Sequence, residues 1–406
     1  MKNRNPLSAR LFFSSCLLLA VSLALVVTEQ DLLSLEKPKK PDLHQVKGDG
    51  QILTGIYLIY DRQFSEAEKL FNNVVSESED KPAGYFYLAM VSWSRLASGF
   101  WSPDVVEEFK KRIDRAIEVA KARVDKKDAD SYDFFYLGGA LGFKGRFELM
   151  KGNWVSSFFL ATDAIDALKT CLKMDPDNKD VLLGIGTFDY YTARLSGVLK
   201  FLTYFLLHKG DKHEGLKKLN IAANEAVYSE TETKSMLLHI YLFIEQDFKK
   251  ALDLSGELAR SYPENPRFKG LEGVSYIRLK AGPQYRKVVN ELRQRGAEAP
   301  KRETADMWER QALYLESIYN LFQGRYPEAR AILKKILEHP DPENDPTMIA
   351  WPLIKTGMSY DLEENRDEAK KYYNQVLNME NGSGAQFLAT KLLESPPKKE
   401  DPFLGY

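Results

Sequence analysis

The chain has 406 residues, 44% hydrophobic and 28% charged, with 57 basic and 58 acidic side chains for a formal net charge of −1. That balance excludes a globally disordered chain and leaves no electrostatic footprint for nucleic acid, so no nucleic-acid partner is expected. The only cysteines are Cys16 and Cys171, which excludes a disulfide-stapled scaffold.

Lys2, Arg4 and Arg10 precede an apolar run from Leu11 to Val27. A charged segment followed by a long apolar one reads as a signal peptide or membrane anchor over residues 1–27. Ser22-Leu23-Ala24 offers a small-x-small cleavage site. Glu29 and Asp31 follow, so the basic side is N-terminal. The positive-inside rule then places the body of the protein on the exported, periplasmic side of the cell envelope. Cys16 reads as a passive member of this segment. Residues 28–47, with Pro38 and Pro41, read as a linker.

From residue 48 onward self-similarity dominates. Gly55 and Phe64 precede Ala67, Phe71 and Val74. Gly324 and Tyr326 precede Ala329, Leu333 and Ile336. Gly357 and Tyr360 precede Ala369, Tyr373 and Val376. In another copy His239 takes the glycine position, followed by Phe248, Ala251, Ser255, Leu258 and Pro263. A second-helix copy alone recurs at Ala164, Leu168, Cys171 and Pro176. Small residues at this spacing let two helices of a hairpin approach, large apolar ones fill the gap to the next hairpin, and the aromatic plugs the turn.

The spacing breaks between Leu182 and Gly215. Gly184 and Gly186 precede an aromatic knot of Phe188, Tyr190 and Tyr191. An apolar run from Leu195 to Leu207 follows, too short to span a bilayer. Its helical spacing predicts a buried helix lying against the concave face. Asp211 with Glu214 three residues on predicts a new helix start. Other units depart too: Trp93 to Pro103 interrupts the second, and Tyr285 stands where the sixth wants a small residue. A last helix, Ala385 to Glu394, is expected to cap the end of the array.

These segments resemble the tetratricopeptide repeat (TPR), a helix-turn-helix unit. FSEAEKLF at Phe64–Phe71, RDEAKKYY at Arg366–Tyr373 and YPEA at Tyr326–Ala329 carry the likeness, which covers about residues 48–383. The stretch from Gly184 to Gly215, a G-x-G-x-F element followed by a G-D-x-x-x-G turn, is also similar to one in a eukaryotic TPR family linked to the mitochondrial outer membrane. The expected fold is all-α: a TPR-like α-solenoid of about eight hairpins over residues 48–395, with a mid-chain apolar helical insertion. Residues 396–406 are expected to be an extended C-terminal tail.

No catalytic, metal or cofactor motif stands out. His208 and His213 flank a turn, without the H-E-x-x-H pattern of a zinc helix. Cys171 sits at a core position of its repeat. Gly184 and Gly186 lack the third glycine of a dinucleotide site. The chain therefore reads as no enzyme. The resemblance implies a concave face lined by the first helix of each hairpin. Its candidate binding residues are Ile56, Tyr60, Phe135, Phe143, Phe188, Tyr190, Tyr191, Met236, Ile240, Phe243, Trp351 and Met358. The basic clamp with which some relatives hold a C-terminal carboxylate is missing. Two functions follow: an envelope scaffold or adaptor that binds protein partners, and a carrier or sensor of an apolar ligand, lipid or hydrophobic segment, in the groove. Membrane contact is allowed by both.

Overall fold

The structure is a computed structural model, and it describes residues 49–194 and 210–406. The signal or anchor at 1–27, the linker at 28–47, the apolar run 195–207 and His208 lie outside the described residues. Among the described residues there are 17 α-helices and no strand. Sixteen pair in chain order as eight hairpins, and the last caps them.

The hairpins are α1 (Asp49–Tyr60) with α2 (Phe64–Glu77), α3 (Pro82–Ala97) with α4 (Pro103–Val124), and α5 (Ser131–Met150) with α6 (Trp154–Met174). Next come α7 (Val181–Thr192) with α8 (Lys212–Glu225), and α9 (Glu230–His239) with α10 (Phe248–Ser261). The last three are α11 (Pro266–Arg278) with α12 (Gly282–Glu298), α13 (Arg302–Phe322) with α14 (Tyr326–Leu337), and α15 (Thr347–Leu362) with α16 (Arg366–Leu377). The cap is α17 (Ala385–Glu394), at the expected position.

The repeat pattern has a direct steric cause. A Cβ on Gly55 would lie 2.3 Å from the Phe71 ring, and one on Gly357 would lie 2.5 Å from the Tyr373 ring. In these two hairpins the glycine of the first helix thus makes room for the aromatic of the second, and both rings are fully buried. Ala67, Ala251, Ala329 and Ala369 are likewise fully buried. Where the pattern departs, packing compensates. Tyr285 on α12 stacks on Tyr319 of α13 with ring centroids 4.5 Å apart.

Six of the eight hairpin turns share one device. The residue two places before the second helix is left-handed: Arg62 (φ 65°), Gly152 (82°), Gln246 (54°), Lys280 (58°), Gly324 (71°) and Glu364 (63°). Only two of these are glycine, although a left-handed L-residue is disfavoured by about 1–2 kcal/mol.

The solenoid meets itself. The turn after α1 docks on the start of α11: the Glu264 N–H donates to Asp61 Oδ1 at 3.0 Å and Asn265 Nδ2 to the Tyr60 carbonyl at 2.8 Å. The Tyr57 and Tyr60 rings lie 5.5 and 5.6 Å from Tyr262. The long connection between α3 and α4, the break seen in the sequence near Trp93 to Pro103, reaches the far end of the array. There the Trp101 N–H donates to Asn381 Oδ1 at 2.9 Å, and Thr347 Oγ1 donates to the Ser98 carbonyl at 2.9 Å. Two separate seams therefore close the repeats into a ring.

Residues 396–406 do not run out as an extended tail. Pro402–Gly405 form a 3-10 turn and Leu404 is fully buried. This segment folds back onto the inner wall, where Phe243 in the π-helical turn Ile240–Ile244, α13 and Trp351 of α15 would otherwise face an open groove.

Candidate functional site

The inner wall borders a partly open cavity of about 550 Å³, and all eight first helices contribute to its lining. The tail supplies part of the lining. The Tyr406 ring lies 4.5 Å from Trp351 and 5.1 Å from Phe243, centroid to centroid. Tyr314 Oη donates to the Tyr406 carbonyl at 2.8 Å. Beneath the tail the fully buried Lys355 donates to the Phe403 carbonyl, and burial lowers its pKa to about 7 against a pull upward from Asp401.

Polar groups cluster on one side. Arg267 donates to the Ala97 carbonyl at 2.6 Å, to His239 Nε2 at 3.2 Å and to Tyr406 Oη at 2.9 Å. His239 Nδ1 is 2.7 Å from the Ser235 carbonyl, so Nδ1 carries the proton and Nε2 accepts. Burial, with Arg267 beside it, lowers the His239 pKa to about 3 and keeps the ring neutral. On the same helix as His239, Glu232 accepts from Tyr60 Oη at 2.6 Å and from Arg146 at 3.1 Å. That bond and burial, burial first, hold the Tyr60 hydroxyl well above its ordinary pKa. Asp345 accepts from Arg310 at 2.9 Å, while burial raises its carboxyl pKa against that pull.

The twelve candidate residues divide. Tyr60, Tyr191, Met236 and Trp351 line the cavity. Phe243 packs against the tail rings of Phe403 and Tyr406. Ile56, Phe135, Ile240 and Met358 are buried between helices. Phe143 packs on Phe86 and Trp93. Phe188 is half-buried and packs against the apolar core of the first four hairpins. Tyr190 is fully buried and donates to Glu245 Oε1 at 2.6 Å, so the aromatic knot is mainly a packing element. The glycines around it explain themselves. A Cβ on Gly186 would lie 3.0 Å from the Gly215 carbonyl, and one on Gly215 would lie 2.6 Å from the Tyr190 nitrogen. This G-x-G element is a contact between α7 and α8, whose start is capped by Asp211 as expected.

Arg62, Arg146, Arg267 and the tail were not among the sequence candidates. One signal was available: His239 occupies a position where other units carry glycine. Cys171 is fully buried, and burial raises its thiol pKa to about 12, which fits a core residue.

Stacked hairpins whose first helices line an inner wall define a helical-repeat solenoid of the protein-interaction class. Residues 353–379, spanning α15 and α16, match the tetratricopeptide repeat family model. No curated protein matches the sequence. Among solved structures the chain is similar to a monomeric IFIT1 mutant with m7Gppp-AAAA, at 14% identity and a TM-score of 0.38. That alignment covers 84% of this chain and 63% of the other.

Proposed function

We propose that this protein is a non-enzymatic scaffold of the cell envelope that binds a protein partner through the outer tip of its third hairpin. The supporting observation is an apolar surface that stays exposed among the described residues. Leu149 is 56% exposed, Trp154 41%, Val155 47% and Phe159 58%. The residues from Gly152 to Thr162 include no charged side chain. Each large apolar side chain left in water forfeits about 1.5–3 kcal/mol of burial, and such patches mark interaction surfaces. The concave face supports an apolar-ligand carrier less well, because Ile56, Ile240 and Met358 are occupied by packing.

The test pairs Trp154→Ser with Phe159→Ser in the full chain. Exposed positions carry little of the fold, so the melting temperature should hold while crosslinking to the partner in cells is lost. Unchanged crosslinking overturns the reading. Release of the protein from membranes with crosslinking intact assigns the tip to lipid instead. Export is tested separately, by a reporter active only in the cytoplasm fused after Tyr406. Activity of that fusion would refute the envelope location.

A further inference from the structure

Residues 401–406 pack on the inner wall as a self-contained unit. The Phe403 N–H donates to Asp401 Oδ1 at 2.8 Å, the Leu404 N–H to the Asp401 carbonyl at 3.1 Å and the Tyr406 N–H to the Phe403 carbonyl at 3.2 Å. The segment thus answers these donors itself, and the solenoid holds it with side chains. Lys355 donates to the Phe403 carbonyl, Tyr314 Oη to the Tyr406 carbonyl at 2.8 Å and Arg267 to Tyr406 Oη at 2.9 Å. The first two of these contacts read main chain. Side chains are read as well. Leu404 is fully buried in the core, and a Cβ on Gly405 would lie 2.8 Å from Val274 Cγ1. The Tyr406 ring lies 4.5 Å from Trp351, and Phe403 stacks on Phe243 with ring planes 6° apart.

Donors aimed at main-chain carbonyls, together with pockets for successive side chains, are how a groove recognises a peptide. The segment that fills this one is joined to the solenoid through Lys398, Lys399 and Glu400, all exposed, and its Phe403 and Tyr406 are only half-buried. We propose that this part of the inner wall is a peptide-binding site, and that residues 402–406 occupy it in cis until a partner protein's segment of the same chemistry, an aromatic and a leucine followed by glycine and tyrosine, displaces them. An occupant on a short tether stands at an effective concentration of about millimolar, so it sets a threshold that the partner's segment must exceed. The tail also carries its turn ready-made, which lowers the ordering cost of docking. The site lies on the inner wall, apart from the outer tip of the third hairpin, so either assignment can fail without the other.

Fluorescence anisotropy of a dye-labelled peptide of residues 398–406, KKEDPFLGY, titrated with the full chain tests the assignment. Leu404→Asp in the full chain puts a carboxylate against the apolar core, which releases the tail. That variant should bind the peptide at least about tenfold more tightly than the wild type does, because the tethered competitor is gone. The same peptide carrying Leu404→Asp or Gly405→Val should bind the released variant at least about tenfold more weakly than the unaltered peptide, since each change spoils a pocket contact. Adding Tyr314→Phe, which loses the donor to the Tyr406 carbonyl, should weaken the peptide as well. If Leu404→Asp does not fold, as read by circular dichroism, Tyr406→Ala at its half-buried position carries the test in its place, with a smaller gain in the same direction. No gain in a folded variant, equal binding of the altered peptides, or indifference to Tyr314→Phe makes the tail a fixed part of the core and overturns the proposal. A wild-type dimer that the peptide dissociates assigns the site to the tail of a second copy and overturns the partner assignment.

Discussion

Lys355 shows what a single buried charge does to this molecule. Its ammonium titrates near 10.5 when exposed and near 7 in the fold. The folded state therefore binds fewer protons between those values, and stability rises with pH across the window. Each unit of descent from 10.5 to 7 costs the fold about 1.4 kcal/mol through this one group, and below 7 the penalty is constant. Lys355→Met should gain on the wild type as pH is lowered from 10 to 7 and track it below 7, read as the difference of two melting curves. His239 acts at the acid end. Its folded pKa near 3 lies below the ordinary 6.5, so stability is present above 6.5 and is lost as pH falls toward 3. His239→Gln, which can still accept from Arg267, should lower the pH of acid unfolding. At this scale the sequence was partly legible. Cys171 reads as core from its place in the repeat, whereas nothing local marks Lys355, whose burial depends on a tail that arrives 48 residues later.

Among the elements, those with internal periodicity could be read directly. The cap at Ala385–Glu394, the Asp211 start of α8 and the small-to-large spacing of the second helices follow from local rules and appear as expected. The left-handed turn residues could not be read, because four of the six are Arg62, Gln246, Lys280 and Glu364 instead of glycine. Glu364→Gly should stabilise the eighth hairpin by up to about 1 kcal/mol, since it relieves a left-handed side chain at some cost in unfolded-chain entropy. The reverse change is expected where helices touch. Gly215→Val places a branched side chain against the α7 backbone and should destabilise by about 1–3 kcal/mol in denaturant titration.

For the molecule as a whole, ring closure was invisible in the sequence. It depends on the summed rotation of successive hairpins, and no single repeat encodes that sum. The tail was equally hidden, because PPKKEDPFLGY has no period and its partners, Phe243, Tyr314 and Trp351, come from three separate repeats. Deleting residues 402–406 should therefore expose Trp351, shift tryptophan emission to longer wavelength and lower stability by about 2–3 kcal/mol or more for the loss of Leu404 and Tyr406 burial. Unchanged emission would mean that the tail does not shield the inner wall in solution.

The seam between Asp61 and Glu264 also sets an order in time. Hairpins form from neighbours in the chain, so each can assemble as soon as it is synthesised. The Glu264 N–H and the Asp61 carboxylate are 203 residues apart, and the bond between Trp101 and Asn381 spans 280. Until the later partner emerges, Tyr60 and Trp101 have no surface to cover them. A nascent chain halted before residue 264 would present a sticky, incomplete arc, and a finished chain would conceal it. The interval between those two moments is when this protein most needs a chaperone.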